Sequence, residues 1–197
     1  MSKKHVWWAA AVALVSGQVM AQEGVWLTRL RAVQLDMHNS NGTSIASLGA
    51  NNKVMGEVDV SYFFNPEVAA ELSLTLPQRQ VLRDTTGAIG NFSQLPSILT
   101  VQYHFNALEG VKPYVGLGMH YTRFSGVGID GGYSLDSSNT GGVLQIGMDF
   151  PLDKKWSLNV DVKKAYIRTD VYSSAGANLG TLKLDPTMLG VGLGYRF

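Results

Sequence analysis

The sequence predicts an all-β fold, an eight-stranded antiparallel transmembrane β-barrel of up-and-down order, and three observations carry that expectation. Beyond the first 21 residues, apolar side chains seldom run consecutively. They alternate with small or polar ones in eight stretches, each near the roughly 9–11 residues that a tilted strand needs to cross hydrocarbon. The connections between these stretches alternate between short and long, the pattern of bacterial barrels with tight turns on one side and loops on the other. No segment after residue 21 has the length and apolarity of a membrane helix, so a closed barrel is the remaining way to satisfy backbone groups in lipid.

The first element is a leader. Lys3 and Lys4 precede an unbroken apolar run over residues 6–15, and Val19-Met20-Ala21 offers a small-residue cleavage site. This is the pattern of a secretory signal peptide, and its apolar run is too short to span a bilayer. The expected organisation is a signal peptide over residues 1–21 and one barrel domain over residues 22–197, placed in the outer membrane of a Gram-negative cell with both mature ends in the periplasm.

The first strand, residues 25–36, is the least regular: Trp26, Leu30 and Ala32 face lipid, with Arg29, Arg31, Val33 and Leu35 inside. In residues 54–63, Val54, Val58, Val60 and Tyr62 oppose Glu57, Asp59 and Ser61. Ala70, Leu72, Leu74 and Leu76 oppose Glu71, Ser73 and Thr75, and Leu99, Val101, Tyr103 and Phe105 oppose Thr100, Gln102 and His104. Val115, Leu117, Met119 and Tyr121 alternate with Gly116, Gly118, His120 and Thr122. Leu144, Ile146, Met148 and Phe150 oppose Val143, Gln145, Gly147 and Asp149, while Trp156, Leu158, Val160 and Val162 oppose Ser157, Asn159, Asp161 and Lys163. The last strand is the clearest, with Leu189, Val191, Leu193, Tyr195 and Phe197 on one face and Gly190, Gly192, Gly194 and Arg196 on the other. A period of two throughout is the strand signature.

Short turns are expected at Asn65-Pro66-Glu67 and over residues 106–112 and 151–155, with long polar loops near residues 37–53, 77–95, 124–141 and 168–186. Trp26, Tyr62, Phe63, Phe64, Tyr103, Phe105, Tyr114, Phe150, Trp156, Tyr195 and Phe197 all fall beside the short turns or chain ends, as an interfacial aromatic girdle requires. Tyr121, Phe124 and Tyr166 begin a second girdle opposite.

Composition closes off other classes. Of 16 basic residues, removal of Lys3 and Lys4 leaves 14 against 15 acidic ones, a formal charge of −1, which gives nucleic-acid binding no electrostatic basis. There is no cysteine, so neither a disulfide framework nor a thiolate metal site is available. No cofactor is called for.

Several stretches carry a resemblance: Ser61-Tyr62-Phe63-Phe64-Asn65, Leu95-Pro96 followed by Gln102-Tyr103-His104-Phe105, Lys112-Pro113-Tyr114-Val115-Gly116 with Tyr121-Thr122, Asp153-Lys154-Lys155-Trp156 with Asp161-Val162, and Leu184-Asp185-Pro186 with Gly194-Tyr195-Arg196-Phe197. In this order, over nearly the whole mature chain, they resemble the OmpW family of outer-membrane proteins. The resemblance implies an eight-stranded barrel with an apolar lumen that passes small hydrophobic molecules from outside into the bilayer by a lateral opening. The alternative is a surface receptor or structural barrel acting through its loops. Ser97 after Pro96, Thr187 after Pro186 and short outer loops depart from the family pattern, and the short loops argue against a tall apolar funnel above the membrane.

Candidate sites follow from the alternation. Pro96 starts a strand and has no amide hydrogen for the ladder, so a lateral gate is expected there. Arg29, Arg31, Glu57, Asp59, Glu71, Asp149, Asp161, Lys163 and Arg196 share a narrow interior and are expected to pair as a polar plug, because an unpaired buried charge costs several kcal/mol. Val33, Leu35, Ile45, Leu48, Phe92 and Leu95 are the candidate apolar mouth for hydrophobic ligands. Asp36, His38 and Ser40 near the rim lack any nucleophile motif, and no enzyme activity is expected. His104 and His120 form at most a weak metal pair, with hydrogen-bonded lumen histidines the better reading. The glycines from Gly190 to Gly194 mimic a nucleotide loop without a following helix, and inward packing explains them better. The expected partners are outer-membrane lipid, small apolar solutes, and the outer-membrane assembly machinery through the strand ending in Phe197.

Overall fold

A computed structural model of the chain describes residues 24–44, 47, 49–85, 87–106, 110–129 and 134–197. The leader, Ile45 and Leu48 lie outside the described residues. In chain order the strands are β1 (Trp26–Asp36), β2 (Ser40–Thr43), β3 (Gly49–Ala50), β4 (Lys53–Phe63), β5 (Val68–Thr75), β6 (Gln78–Asp84), β7 (Gly87–His104), β8 (Lys112–Ile129), β9 (Ser134–Leu135), β10 (Ser138–Pro151), β11 (Trp156–Ala165), β12 (Arg168–Tyr172), β13 (Asn178–Lys183) and β14 (Thr187–Arg196).

Eight of them close on themselves. The neighbours run β1, β4, β5, β7, β8, β10, β11, β14 and back to β1, every pair antiparallel. Closure leaves no free edge, the condition for strands in lipid. The outer face is apolar: Leu30, Leu117 and Ile146 are 65%, 66% and 60% exposed, an arrangement that water would disfavour and hydrocarbon would not.

At the short-turn end the aromatics assemble into a contiguous girdle. Trp26 meets Tyr62 and Tyr62 meets Phe64 edge-on, with centroids 4.9 and 5.2 Å apart, and Trp156, Tyr195 and Phe197 continue the row from β11 and β14. Two expected members are missing from it. Phe63 and Tyr114 are buried, on the inner face, because each neighbours an outward residue, Tyr62 and Val115. Tyr121 and Tyr166 are exposed at the opposite end; the Phe124 side chain lies outside the described part.

The outer segments differ from the expected polar loops. β6 and β7 pair as a hairpin, which β8 continues to Ile129, and β2, β13, β12 and β9 form a separate four-stranded sheet. Polarity inverts there, with Arg79, Arg83 and Arg168 exposed outside and Leu82, Phe92, Ile167 and Val171 buried inside. The inversion has a simple cause: above the bilayer the outer face of a strand meets water.

Candidate functional site

The lumen is divided across its height. Along β1 the inner face reads Leu27, Arg29, Arg31, then Val33, Leu35; along β11 it reads Asn159, Asp161, Lys163, then Ala165; along β10, Asp149, Gln145, then Val143. The registers Arg31↔Glu57 and Val33↔Met55 put the change at the same level on β4. Charged and amide side chains therefore fill the half near the short turns, and an apolar cluster fills the half near the long connections.

The charged half is built around Arg29 and Arg31, whose side chains are fully buried. Arg29 makes a two-pronged contact with Asp149, Nε to Oδ1 at 3.2 Å and Nη2 to Oδ2 at 2.6 Å, and its Nη1 donates to Glu71. Arg31 lies 3.2–3.4 Å from oxygens of Glu57, Asp59, Glu71 and Asp161, and Lys163 Nζ donates to Glu57 at 2.6 Å. Three cations thus face five carboxylates in one network, and neutral donors satisfy further oxygens. Gln145 Nε2 donates to Glu71 and Asp161, Ser61 donates to Glu71, and Tyr114 donates its hydroxyl to Asp161 Oδ2 at 2.9 Å. Removing one member of such a buried set strands its partners, a loss of about 3–5 kcal/mol.

Glycines make this density possible. Gly192 of β14 stands opposite Arg31, and a Cβ there would come within 2.8 Å of Arg31 Cγ. Gly147 opposes Tyr114, whose ring occupies the space a side chain would take. Arg196, expected in the plug, is not among these pairs: its Nε donates to the Gly24 carbonyl at 2.6 Å and its guanidinium lies 4.2 Å over Phe63 at the floor of the barrel. Tyr114, Gln145, Gln102 and Asn159 are members that a search for charge passes over, although their inward parity is readable.

Beneath the plug lies a cavity of about 200 Å³ lined by Phe63, His104, Lys112, Asp149, Lys155 and Arg196. His104 stacks on Tyr114 and bonds Gln102, whereas His120 sits between Thr122 and the Tyr166 carbonyl. The registers His104↔Tyr114 and Ile98↔His120 separate the two histidines by six strand positions, roughly 20 Å, so they do not form a pair. Among the described residues no three His, Cys, Asp or Glu side chains are placed to hold a metal. Asp36 accepts from Gln34 while His38 and Ser40 stand exposed.

The apolar half joins Val33, Leu35, Met55, Leu82, Phe92, Ile98, Val143, Val171, Leu182, Leu184 and Met188. Of the expected apolar mouth, Val33, Leu35 and Phe92 lie in this cluster, and Leu95 does not: it is 42% exposed on the outer face, in parity with Leu99 and Val101. Its position follows from an uninterrupted β7, in which every odd residue from Leu95 to Tyr103 except the half-buried Ser97 stands exposed outward.

Pro96 is buried and, contrary to the expected strand start, lies within β7, paired with Thr122 of β8; the discontinuity beside it is on the side of β5 and β6. The β5–β7 ladder ends at Leu74↔Ser97 and the β6–β7 ladder begins at Gln78↔Gln94, so three residues, Thr75, Leu76 and Pro77, face two, Leu95 and Pro96. That is a β-bulge with a proline on each strand, neither able to donate. The Thr75 hydroxyl spans it, donating to the Pro96 carbonyl at 3.0 Å. On the outer face next to this seam is an apolar hollow of about 170 Å³ lined by Leu72, Ser97, Leu99, Met119 and Tyr121.

Comparison with known proteins places this architecture. The OmpW family profile matches residues 16–197. An uncharacterized outer-membrane protein of Sinorhizobium fredii, y4mB, is 35% identical, with 96% of this chain and 90% of that protein covered. Outer membrane protein W of Escherichia coli is 30% identical over the full length of both. The crystal structure of the outer-membrane protein OprG from Pseudomonas aeruginosa shares the fold, with a TM-score of 0.74 at 21% identity over 89% of this chain and 96% of that one. The chain belongs to the OmpW family and is a β-barrel protein of the outer membrane.

Proposed function

We propose that the barrel conducts small hydrophobic molecules from the outside medium into the outer membrane, with the short turns and both mature ends in the periplasm. The observation that carries the reading is the coincidence of three features at one level: the apolar half of the lumen ends, the charged plug begins, and the wall carries its bulge at Thr75 and Pro96. A solute resting on the plug has the seam beside it and an apolar hollow outside it. No covalent step is involved. The driving force is transfer of apolar area out of water, about 25 cal/mol per Å².

The plug favours a sideways exit over passage into the periplasm, because opening it means separating buried ion pairs. Delivery by the assembly machinery through the strand ending in Phe197 belongs to the same reading. The test is uptake of the apolar fluorophore N-phenylnaphthylamine by phospholipid vesicles with and without the reconstituted protein. Faster uptake with protein is expected, and equal rates would overturn the proposal.

One observation favours a second reading, a surface receptor. The sheet of β2, β13, β12 and β9 is an ordered platform beyond the barrel. If trimming residues 173–177 abolished capture of a surface partner while fluorophore uptake persisted, the receptor reading would gain.

A further inference from the structure

Within the apolar half of the lumen, three buried side chains carry polar atoms that have no hydrogen-bond partner. Both ends of the Gln80 amide, the Gln94 carbonyl oxygen and the Thr169 hydroxyl make no hydrogen bond, and the three residues are 0%, 2% and 1% exposed. For two of them the cross-strand neighbour is apolar: Gln80 stands opposite Phe92, and Thr169 opposite Leu182. Elsewhere in the same barrel the same side chain is fully used. Gln145 donates to Glu71 and Asp161 and accepts from Thr100 and Gln102. Buried amides are ordinarily satisfied, and each orphan calls for an explanation.

We infer that Gln80, Gln94 and Thr169 select the solute, and that it carries a small neutral head able to both donate and accept a hydrogen bond on a short apolar tail, as a medium-chain alcohol or primary amide does. The inference rests on the reading of the upper lumen as a solute chamber and sharpens its substrate class. Gln80 offers a donor and an acceptor side by side, the complement of a hydroxyl or carboxamide and more than a pure hydrocarbon can use. Charged heads are disfavoured. The nearby arginines, Arg79 and Arg83, are exposed on the outer face, and the plug beneath carries more carboxylates than cations, so a carboxylate would lose water without gaining a counter-charge. The polar groups are thus set for a head that is neither ionic nor apolar.

The experiment uses the ¹⁵N-labelled protein in phosphatidylcholine nanodiscs, with 1-octanol, n-octane and octanoate as probes. The side-chain amide signals of Gln80 and Gln94, assigned by their loss in Gln80→Leu and Gln94→Leu, are expected to shift with 1-octanol and to stay in place with n-octane and octanoate. The double leucine variant keeps the volume and removes buried polarity, so the barrel should persist. In it, octanol affinity should fall about tenfold, the factor carried by one net hydrogen bond, while n-octane uptake into vesicles is unchanged. Amide signals that ignore octanol, that respond equally to octane, or a double variant that binds octanol as well as the wild type would overturn the inference. Signals that shift in a protein that speeds no uptake would sustain the head-group selection and remove the transport reading instead.

Discussion

The two halves of the lumen are lined by the same eight strands, yet they are held by opposite physics. In the half near the short turns, Arg29, Arg31 and Lys163 lock Glu57, Asp59, Glu71, Asp149 and Asp161 into one network. In the other half, Leu35, Phe92, Leu182 and their neighbours meet by apolar contact alone. Ion pairs with fixed hydrogen-bond geometry are directional and break all at once, whereas apolar side chains exchange partners at little cost, including with a greasy ligand. One inner surface can thus combine a permanent floor with a yielding chamber, the residue type switching from charged to apolar along β1, β4, β10 and β11.

The comparison breaks most readily at Arg31. Arg31→Met is expected to lower stability by about 3–5 kcal/mol, because four carboxylates lose their shared cation. Urea unfolding in lipid vesicles measures this, and a variant as stable as the wild type would mean that the plug is not held by charge. Four residues along the same strand, Leu35→Ala should cost roughly 2–5 kcal/mol through the space it leaves, yet speed uptake of N-phenylnaphthylamine severalfold by loosening the chamber. Slower uptake would show the upper half to be as rigid as the lower.

The smallest effect lies outside the lumen, in the 151–155 turn. The Trp156 amide, and then that of Lys155, donates to Asp153 and holds its carboxyl below the ordinary value of 3.8. Because the folded value is depressed, the turn is favoured above pH 3.8 and loses that support as pH falls through the lower, folded value. The Trp156 amide resonance should follow this titration in the wild type and not in Asp153→Asn. A midpoint above 3.8 would contradict the geometry.

Much of the barrel was legible because lipid imposes a rule on its outer face. Wherever a strand crosses hydrocarbon, alternation of Leu, Val and Ile with small or polar residues gave its register, and the inward charges of Arg29, Glu57 or Lys163 came with it. Beyond the bilayer that rule lapses. Residues 78–84, Gln-Arg-Gln-Val-Leu-Arg-Asp, turn arginines outward and Leu82 inward, so they read as polar loop although they form β6. Phe63 and Tyr114 follow parity and not residue type: an aromatic beside a turn suggests the girdle, while the outward Tyr62 and Val115 place both inside. Leu95 is apolar enough for the mouth, yet its parity with Leu99 puts it on the outer face. The bulge at Pro96 was visible as a missing donor, but the Thr75 hydroxyl that spans it depends on a three-against-two register that no local pattern reveals.

If the seam between Thr75 and Pro96 is the way out, closing it must stop uptake. The chain has no cysteine, so a Thr75→Cys/Pro96→Cys variant places the only two thiols across the bulge, where the Thr75 hydroxyl already reaches the Pro96 carbonyl. Uptake of N-phenylnaphthylamine by vesicles carrying this variant, compared before and after reduction, is the most direct measurement. The oxidised barrel should be inactive and recover on reduction; equal uptake in both states would contradict a lateral exit at this seam.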